Sequence, residues 1–125
     1  MNSMLVVAAG GAVGSVFRYL VGIWAVRLFG TAFPWGTLAI NVVGSFVIGL
    51  LVEMIARRFG GSTEMRLLLV TGLCGGFTTF SSFSLEFVGL VERGAMTLAV
   101  SYLAASVILA IGATFFGLFV GRMAF

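Results

Sequence analysis

The sequence contains no histidine, no aspartate and no lysine, and only one cysteine and one proline in 125 residues. Each absence removes a class of chemistry. Without histidine and aspartate there is no Ser-His-Asp triad. A lone cysteine with no histidine leaves zinc without its usual ligands. Cys74 has no partner for an intrachain disulfide, and it reads as a small, buried apolar residue. Charge is also scarce. Only 9% of the residues are charged, where a soluble domain carries about a quarter. No catalysis is expected. The pI near 10.0 raises the question of nucleic acid. However, the seven arginines are few and lie mostly at the ends of apolar runs, where basic residues anchor membrane segments. Neither nucleic acid nor a protein partner of another kind is implied.

What is present is apolar. Hydrophobic residues make up 61% of the chain, and the mean hydropathy is +1.22. Such a composition belongs in a lipid bilayer. Crossing the hydrocarbon core takes roughly 20 apolar residues, and four segments qualify, at about 4–26, 35–56, 67–91 and 96–120. The first has no positive region before it and is too long for a signal peptide, so it is expected to remain as a helix. Pro34 suits the first turn of the second helix. The apolar runs do not alternate with polar residues, which excludes a β-barrel. The expected fold is an all-α membrane protein: one domain of four helices running up and down, with both termini on one side.

Counting arginines by side gives Arg57, Arg58, Arg66 and Arg122 against Arg27 and Arg93. That bias is shallow by the positive-inside rule. It fits insertion with the ends in the cytoplasm, or insertion in both orientations. Glycines four apart, Gly10 with Gly14 and Gly117 with Gly121, allow close approach of helix backbones in lipid. They argue for association without naming a partner.

Polar groups in a bilayer core are costly, so each one calls for a reason. Thr37, Asn41 and Ser45 are spaced by four and share one face of the second helix. They serve either as interhelical hydrogen bonds or as the wall of a wet path. Tyr102 and Ser106 repeat the spacing on the fourth helix, although Tyr102 also suits an interfacial belt. Arg18 lies well inside the first helix. It is placed to snorkel, to pair with Glu86, or to face a watery vestibule. Glu53 is near enough to a helix end for a plain interfacial role.

The densest polar stretch is "GGFTTFSSFS", residues 75 to 84. Gly72, Gly75 and Gly76 lower helix stability, and hydroxyls just after them offer the backbone other partners. Together they predict a break in the third helix near residues 73–79. Such a break is tolerated at membrane depth only where protein buries it or water reaches it. Its half-helix ends would favour anions at the N–H side and cations at the carbonyl side. Phe77, Phe80, Phe83 and Phe87 follow at helical spacing. By spacing alone they read first as ordinary packing aromatics, with a ladder of rings whose positive edges face an anion as the alternative.

The strings "GLCGGFTTFSSFSLE" and "GTLAINVVGS", with the length, the four helices and the early arginine, resemble the Fluc (CrcB) family of fluoride channels over the whole chain. The resemblance implies a dual-topology antiparallel homodimer in the bacterial inner membrane. Two pores at the dimer interface would carry fluoride passively out of the cytoplasm. Carried over by position, the pore would use the rings of Phe80 and Phe83, the carboxamide of Asn41, and a hydroxyl track drawn from Thr79, Ser81, Ser82 and Ser84, with Thr37, Tyr102 and Ser106. Arg18 would lie at the vestibule. A central sodium ion would be held by the backbone carbonyls of Gly75 and Thr78. One departure stands out: a serine often found one turn after the position of Ser106 is Ala110 here, with Thr114 or a water as stand-in. Two other classes compete. A small dual-topology cation exporter should carry an embedded glutamate in its first helix, where this chain has Arg18. An unselective pore-former would not need Asn41 beside a Phe-Ser-x-Phe break.

Overall fold

The computed structural model describes residues 2–125. Among them, regular structure is entirely helical. Helix α1 is Ser3–Phe29 and α2 is Trp35–Arg58. The third membrane span is Thr63–Glu92, and it is divided in two. Its first part, residues 63–77, is labelled α3, and its second, Phe80–Glu92, α4. Helix α5 is Met96–Ala124. At about 1.5 Å per residue, 27 residues of α1 reach about 40 Å, and they overrun a hydrocarbon core of about 30 Å.

The helices outrun the apolar runs because backbone hydrogen bonding does not stop where the first charge appears. Helix α1 continues past Arg27 and ends at Gly30, whose N–H donates to the Val26 carbonyl at 2.9 Å. Its start is capped by Asn2, whose side-chain oxygen accepts from the Met4 N–H at 2.8 Å. Pro34 stands one residue ahead of the first turn of α2, as its cap position. There its missing N–H costs nothing. Between α4 and α5 the chain reverses through Gly94, at φ +77°, and the Ala95 N–H reaches back to the Leu90 carbonyl at 2.9 Å. Only glycine takes that φ without strain.

Helix α1 packs along α3, and α2 packs along α5. Both seams are built from glycine. A methyl group on Gly76 would land 2.9 Å from the Gly11 Cα, and one on Gly72 would land 3.0 Å from the Gly10 Cα. In return, Gly10 and Gly14 meet the backbone of α3 at the Leu68 and Leu73 carbonyls. The second seam sets Gly49 against Thr114 and Gly117, and Gly117 against the Phe46 carbonyl. The paired glycines therefore face inward, and they hold this subunit's own helices together. A small apolar core of Leu38, Phe83, Leu90, Ala99 and Tyr102 joins α2, α4 and α5 at the end of the α4–α5 turn.

The break is narrower than residues 73–79. Residues 66–74 wind with π-helical hydrogen bonds and Gly75–Phe77 with α-helical ones. Gly75 itself has ordinary helical angles, φ −62° and ψ −38°. Only Thr78 and Thr79 are extended, at φ −80°, ψ 158° and φ −151°, ψ 120°. Gly72 and Gly76 are held helical by α1, which packs directly against them. The two hydroxyl residues open the chain.

Candidate functional site

The break is held by side chains. Asn41 projects from α2 and bonds the Thr79 backbone twice. Its Oδ1 accepts from the Thr79 N–H at 2.8 Å, and its Nδ2 donates to the Thr79 carbonyl at 3.0 Å. The carboxamide thus imitates the neighbour that a β-ladder would have supplied. One of its two N–H donors is left over. Thr79 Oγ1 then caps α4 by accepting from the Ser82 N–H at 3.1 Å. Thr78 ends α3: its N–H and its hydroxyl both donate to the Cys74 carbonyl, each at 2.9 Å. Arg18 crosses from α1, and its Nε donates to the Gly76 carbonyl at 3.2 Å. A cation at a helix C-terminus complements the partial negative charge there. The carbonyls of Gly75, Phe77 and Thr78, among the described residues, accept no hydrogen bond across the break.

Arg18 therefore does not pair with Glu86. Instead both line one cavity of about 860 Å³, open on one side, together with Thr37, Thr79 and Ser82. Arg27 and Arg93 also border it, and the Arg93 guanidinium reaches the Ala32 carbonyl at 3.4 Å. That contact ties the α1–α2 link to the α4–α5 turn. Sequence reading placed Arg27 and Arg93 only as interfacial anchors. Nothing in their spacing showed that two links far apart in the chain would meet. Glu86 is expected from the sequence as a partner for Arg18. Its Oε1 accepts from the Tyr102 hydroxyl at 3.4 Å, and its side chain faces the cavity.

The remaining expected site residues divide. Phe83 is 7% exposed and packs on Tyr102, with ring centroids 5.1 Å apart. Tyr102 is fully buried, and Phe33 meets it edge-on at 5.5 Å. Phe80 lies 5.6 Å from Phe83, yet it is 78% exposed and continues the ring row out of the subunit. Ser81 is exposed beside it, with its Oγ 3.4 Å from Thr79 Oγ1. The Ser84 hydroxyl donates back to the Phe80 carbonyl at 3.0 Å. Ser106 Oγ is buried and has no partner. The Thr114 hydroxyl donates to the Ala110 carbonyl at 3.2 Å, so in this rotamer its proton is turned to its own helix. Asn41, Phe80, Phe83, Tyr102 and Ser106 do not border the cavity. Asn41 reaches the cavity through Thr79, and the row Phe80–Phe83–Tyr102 reaches it through Glu86 and Phe33.

Among the described residues no group of three His, Cys, Asp or Glu side chains could hold a metal ion. The oxygen donors that remain are backbone carbonyls and hydroxyls around an opened helix. The fold and this site define a multi-pass membrane protein of four spans, in which polar groups converge on a helix break and face no catalytic residue set. Comparison with known families makes the class specific. The chain belongs to the family described as "CrcB-like protein, Camphor Resistance (CrcB)", which matches residues 5–118. It is 62% identical, over the full length of both chains, to a protein of Agrobacterium fabrum named "Fluoride-specific ion channel FluC". It is 58% identical over 98% of both chains to a protein of the same name from Rhizobium etli. The family is one of ion channels and not of enzymes.

Proposed function

We propose that this chain is a fluoride-selective channel that works as an antiparallel homodimer in a bacterial inner membrane. It lets fluoride leave the cytoplasm passively and so lowers cytoplasmic fluoride. The observation that carries the reading is the Asn41–Thr79 clamp. It holds the third span open and sets Phe80, Ser81 and the capping hydroxyl of Thr79 beside the break. A lone subunit leaves that side uncovered, since Phe80 is 78% exposed with Ser81 exposed beside it. A second copy in the opposite orientation would close two equivalent paths.

Fluoride is small and strongly hydrated, so its water must be replaced by several weak donors. Hydroxyls of Thr37, Thr79, Ser81, Ser82 and Ser106, with the leftover N–H of Asn41, supply hydrogen bonds. The edges of Phe80 and Phe83 carry the positive side of the ring quadrupole, which attracts an anion without binding it tightly. Weak contacts at many points permit flow where one tight site would stop it. The Arg18 and Arg93 guanidiniums beside the cavity raise the local concentration of anions.

A resident sodium ion fits the break. Free carbonyl oxygens at Gly75 and Thr78 are the hard donors that such an ion takes, and a copy of the pair from a second subunit would complete the set. When bound, the ion supplies fixed positive charge and neutralises opened carbonyls.

The decisive measurement is anion efflux from liposomes that contain the purified protein, loaded with fluoride or with chloride. Fluoride should leave faster by orders of magnitude; equal rates would end the channel reading. Replacing sodium by a large organic cation should weaken the dimer, and indifference to sodium would remove the ion from the account.

A further inference from the structure

Helices α2 and α5 run parallel and end side by side, at the opposite end of the bundle from the core. There Glu53 holds two arginines. Its Oε2 accepts from Arg57 Nε and its Oε1 from Arg122 Nε, each at 2.9 Å. The carboxylate is 14% exposed, whereas the arginine side chains are 46% and 59% exposed. Gly121 makes this possible, because a methyl group there would lie 2.6 Å from the Glu53 Cβ. Each guanidinium touches the carboxylate through Nε alone, so its Nη donors stay free. One carboxylate between two guanidiniums leaves one positive charge uncompensated. Beside Arg122, Phe115, Phe119 and Met123 form a ridge along α5, four residues apart and exposed.

We infer that Glu53, Arg57 and Arg122 form a headgroup site for a singly charged anionic phospholipid, with an acyl chain along the Phe115–Phe119–Met123 ridge. Glu53 acts as a positioning residue, and the four free Nη groups bind the phosphodiester. The charge balance favours this occupant: a phosphodiester monoanion brings the cluster to neutrality. A zwitterionic lipid would carry its ammonium into the same positive field. The apolar ridge favours a lipid over a free anion. The proposal is independent of ion conduction, and its test reads no flux.

The test is native mass spectrometry of the protein in mild detergent with equal amounts of phosphatidylglycerol and phosphatidylcholine. One uncompensated positive charge near an anionic headgroup is worth about a fivefold preference, so about fivefold more phosphatidylglycerol than phosphatidylcholine should be bound. Arg57→Gln and Arg122→Gln should each lower the ratio about fivefold. Arg122→Lys keeps the cation on Glu53 and its charge, so it should preserve both the fold and most of the preference. Excess inorganic phosphate should leave the lipid adduct in place. A wild-type ratio near one, a ratio unchanged in Arg122→Gln, or displacement by inorganic phosphate would each overturn the assignment.

Discussion

The two faces of the third span are held in different ways. On the side of α1, α3 is fixed by backbone against backbone, glycine to glycine, with no room for a side chain. A few residues later, at Thr78 and Thr79, the same span is fixed by side chains: Asn41, Arg18 and the two threonine hydroxyls. The first mode depends on shape and tolerates almost nothing larger. The second depends on matched donors and acceptors, and it leaves some of them unused. Close packing of this kind gives a rigid anchor. An incompletely satisfied break beside it gives sites at which an ion can exchange. The difference suggests that changes in the glycine seam act first on folding, and that changes at the break act first on conduction.

The largest effect is expected in the seam. Gly14→Val would drive a branched side chain into the Leu73 carbonyl and the Phe77 N–H. Overpacking against backbone costs about 3 kcal/mol or more, so little folded protein should be recovered by size-exclusion chromatography. Gly22, on the same helix, has nothing within 4 Å of an added methyl. Gly22→Ala should therefore raise the melting temperature slightly, in line with a helix-propensity gain of up to about 1 kcal/mol. Equal losses in the two variants would erase the distinction between seam and open face.

The next effect belongs to the clamp. Asn41→Ala removes both partners of the Thr79 backbone. A buried N–H or carbonyl left unpaired costs about 1–3 kcal/mol. The variant should melt lower and conduct fluoride at least about tenfold more slowly, because the extended pair at Thr78–Thr79 loses its register; a tenfold rate change corresponds to about 1.4 kcal/mol in barrier height. Asn41→Asp sharpens the point. It keeps the acceptor for the Thr79 N–H and adds negative charge beside an anion path, so flux should fall further than stability does. Flux and stability falling in step would mean that Asn41 serves only as glue.

These pairs also show what the sequence could reveal. Four spans and a broken third helix follow from hydropathy and from the density of glycine and hydroxyl. The width of the break did not, because helix propensity assigns glycine to the opening and carries no information about a facing helix. Gly72 and Gly76 stay wound with Gly10 and Gly11 packed against them. The partner of Arg18 was illegible for a related reason: a carbonyl acceptor has no side-chain signature. Asn41 was visible as a costly carboxamide, but its two-way bond to one residue's backbone depends on the angle between α2 and α4. Arg93 and Ala32 meet across 61 positions of sequence, beyond the reach of any local pattern.

A third comparison lies within the ring row. Phe80 is exposed and Phe83 buried, although they are three residues apart on one helix. Phe83→Ala removes a ring packed on Tyr102 and should destabilise the subunit by about 3 kcal/mol. Phe80→Leu removes only an exposed ring edge. It should leave the melting temperature within about 0.5 kcal/mol of wild type, as a surface change does, while still reducing fluoride efflux. If Phe80→Leu conducts normally, the ring-edge contribution belongs to Phe83 alone or does not exist.

The smallest effect should carry the opposite sign. Ser106 Oγ is buried without a partner, and a buried hydroxyl in that state costs about 1–3 kcal/mol. Replacing it with alanine removes the unsatisfied atom and almost no volume, so Ser106→Ala should melt slightly higher than wild type. Proteins rarely keep such an atom for stability, and an anion that passes nearby is a reason to keep it. The hydroxyl would then find its acceptor only when fluoride is present. Two measurements on one variant separate the possibilities: a higher melting temperature with slower efflux places Ser106 on the path, and a higher melting temperature with unchanged efflux removes it. One turn along α5 from Ser106 stands Ala110, and Thr114, a turn beyond, turns its proton to the Ala110 carbonyl, so no neighbouring hydroxyl takes over the role of Ser106. Ala110→Ser in the Ser106→Ala background should therefore restore part of the lost efflux while leaving the melting temperature nearly unchanged.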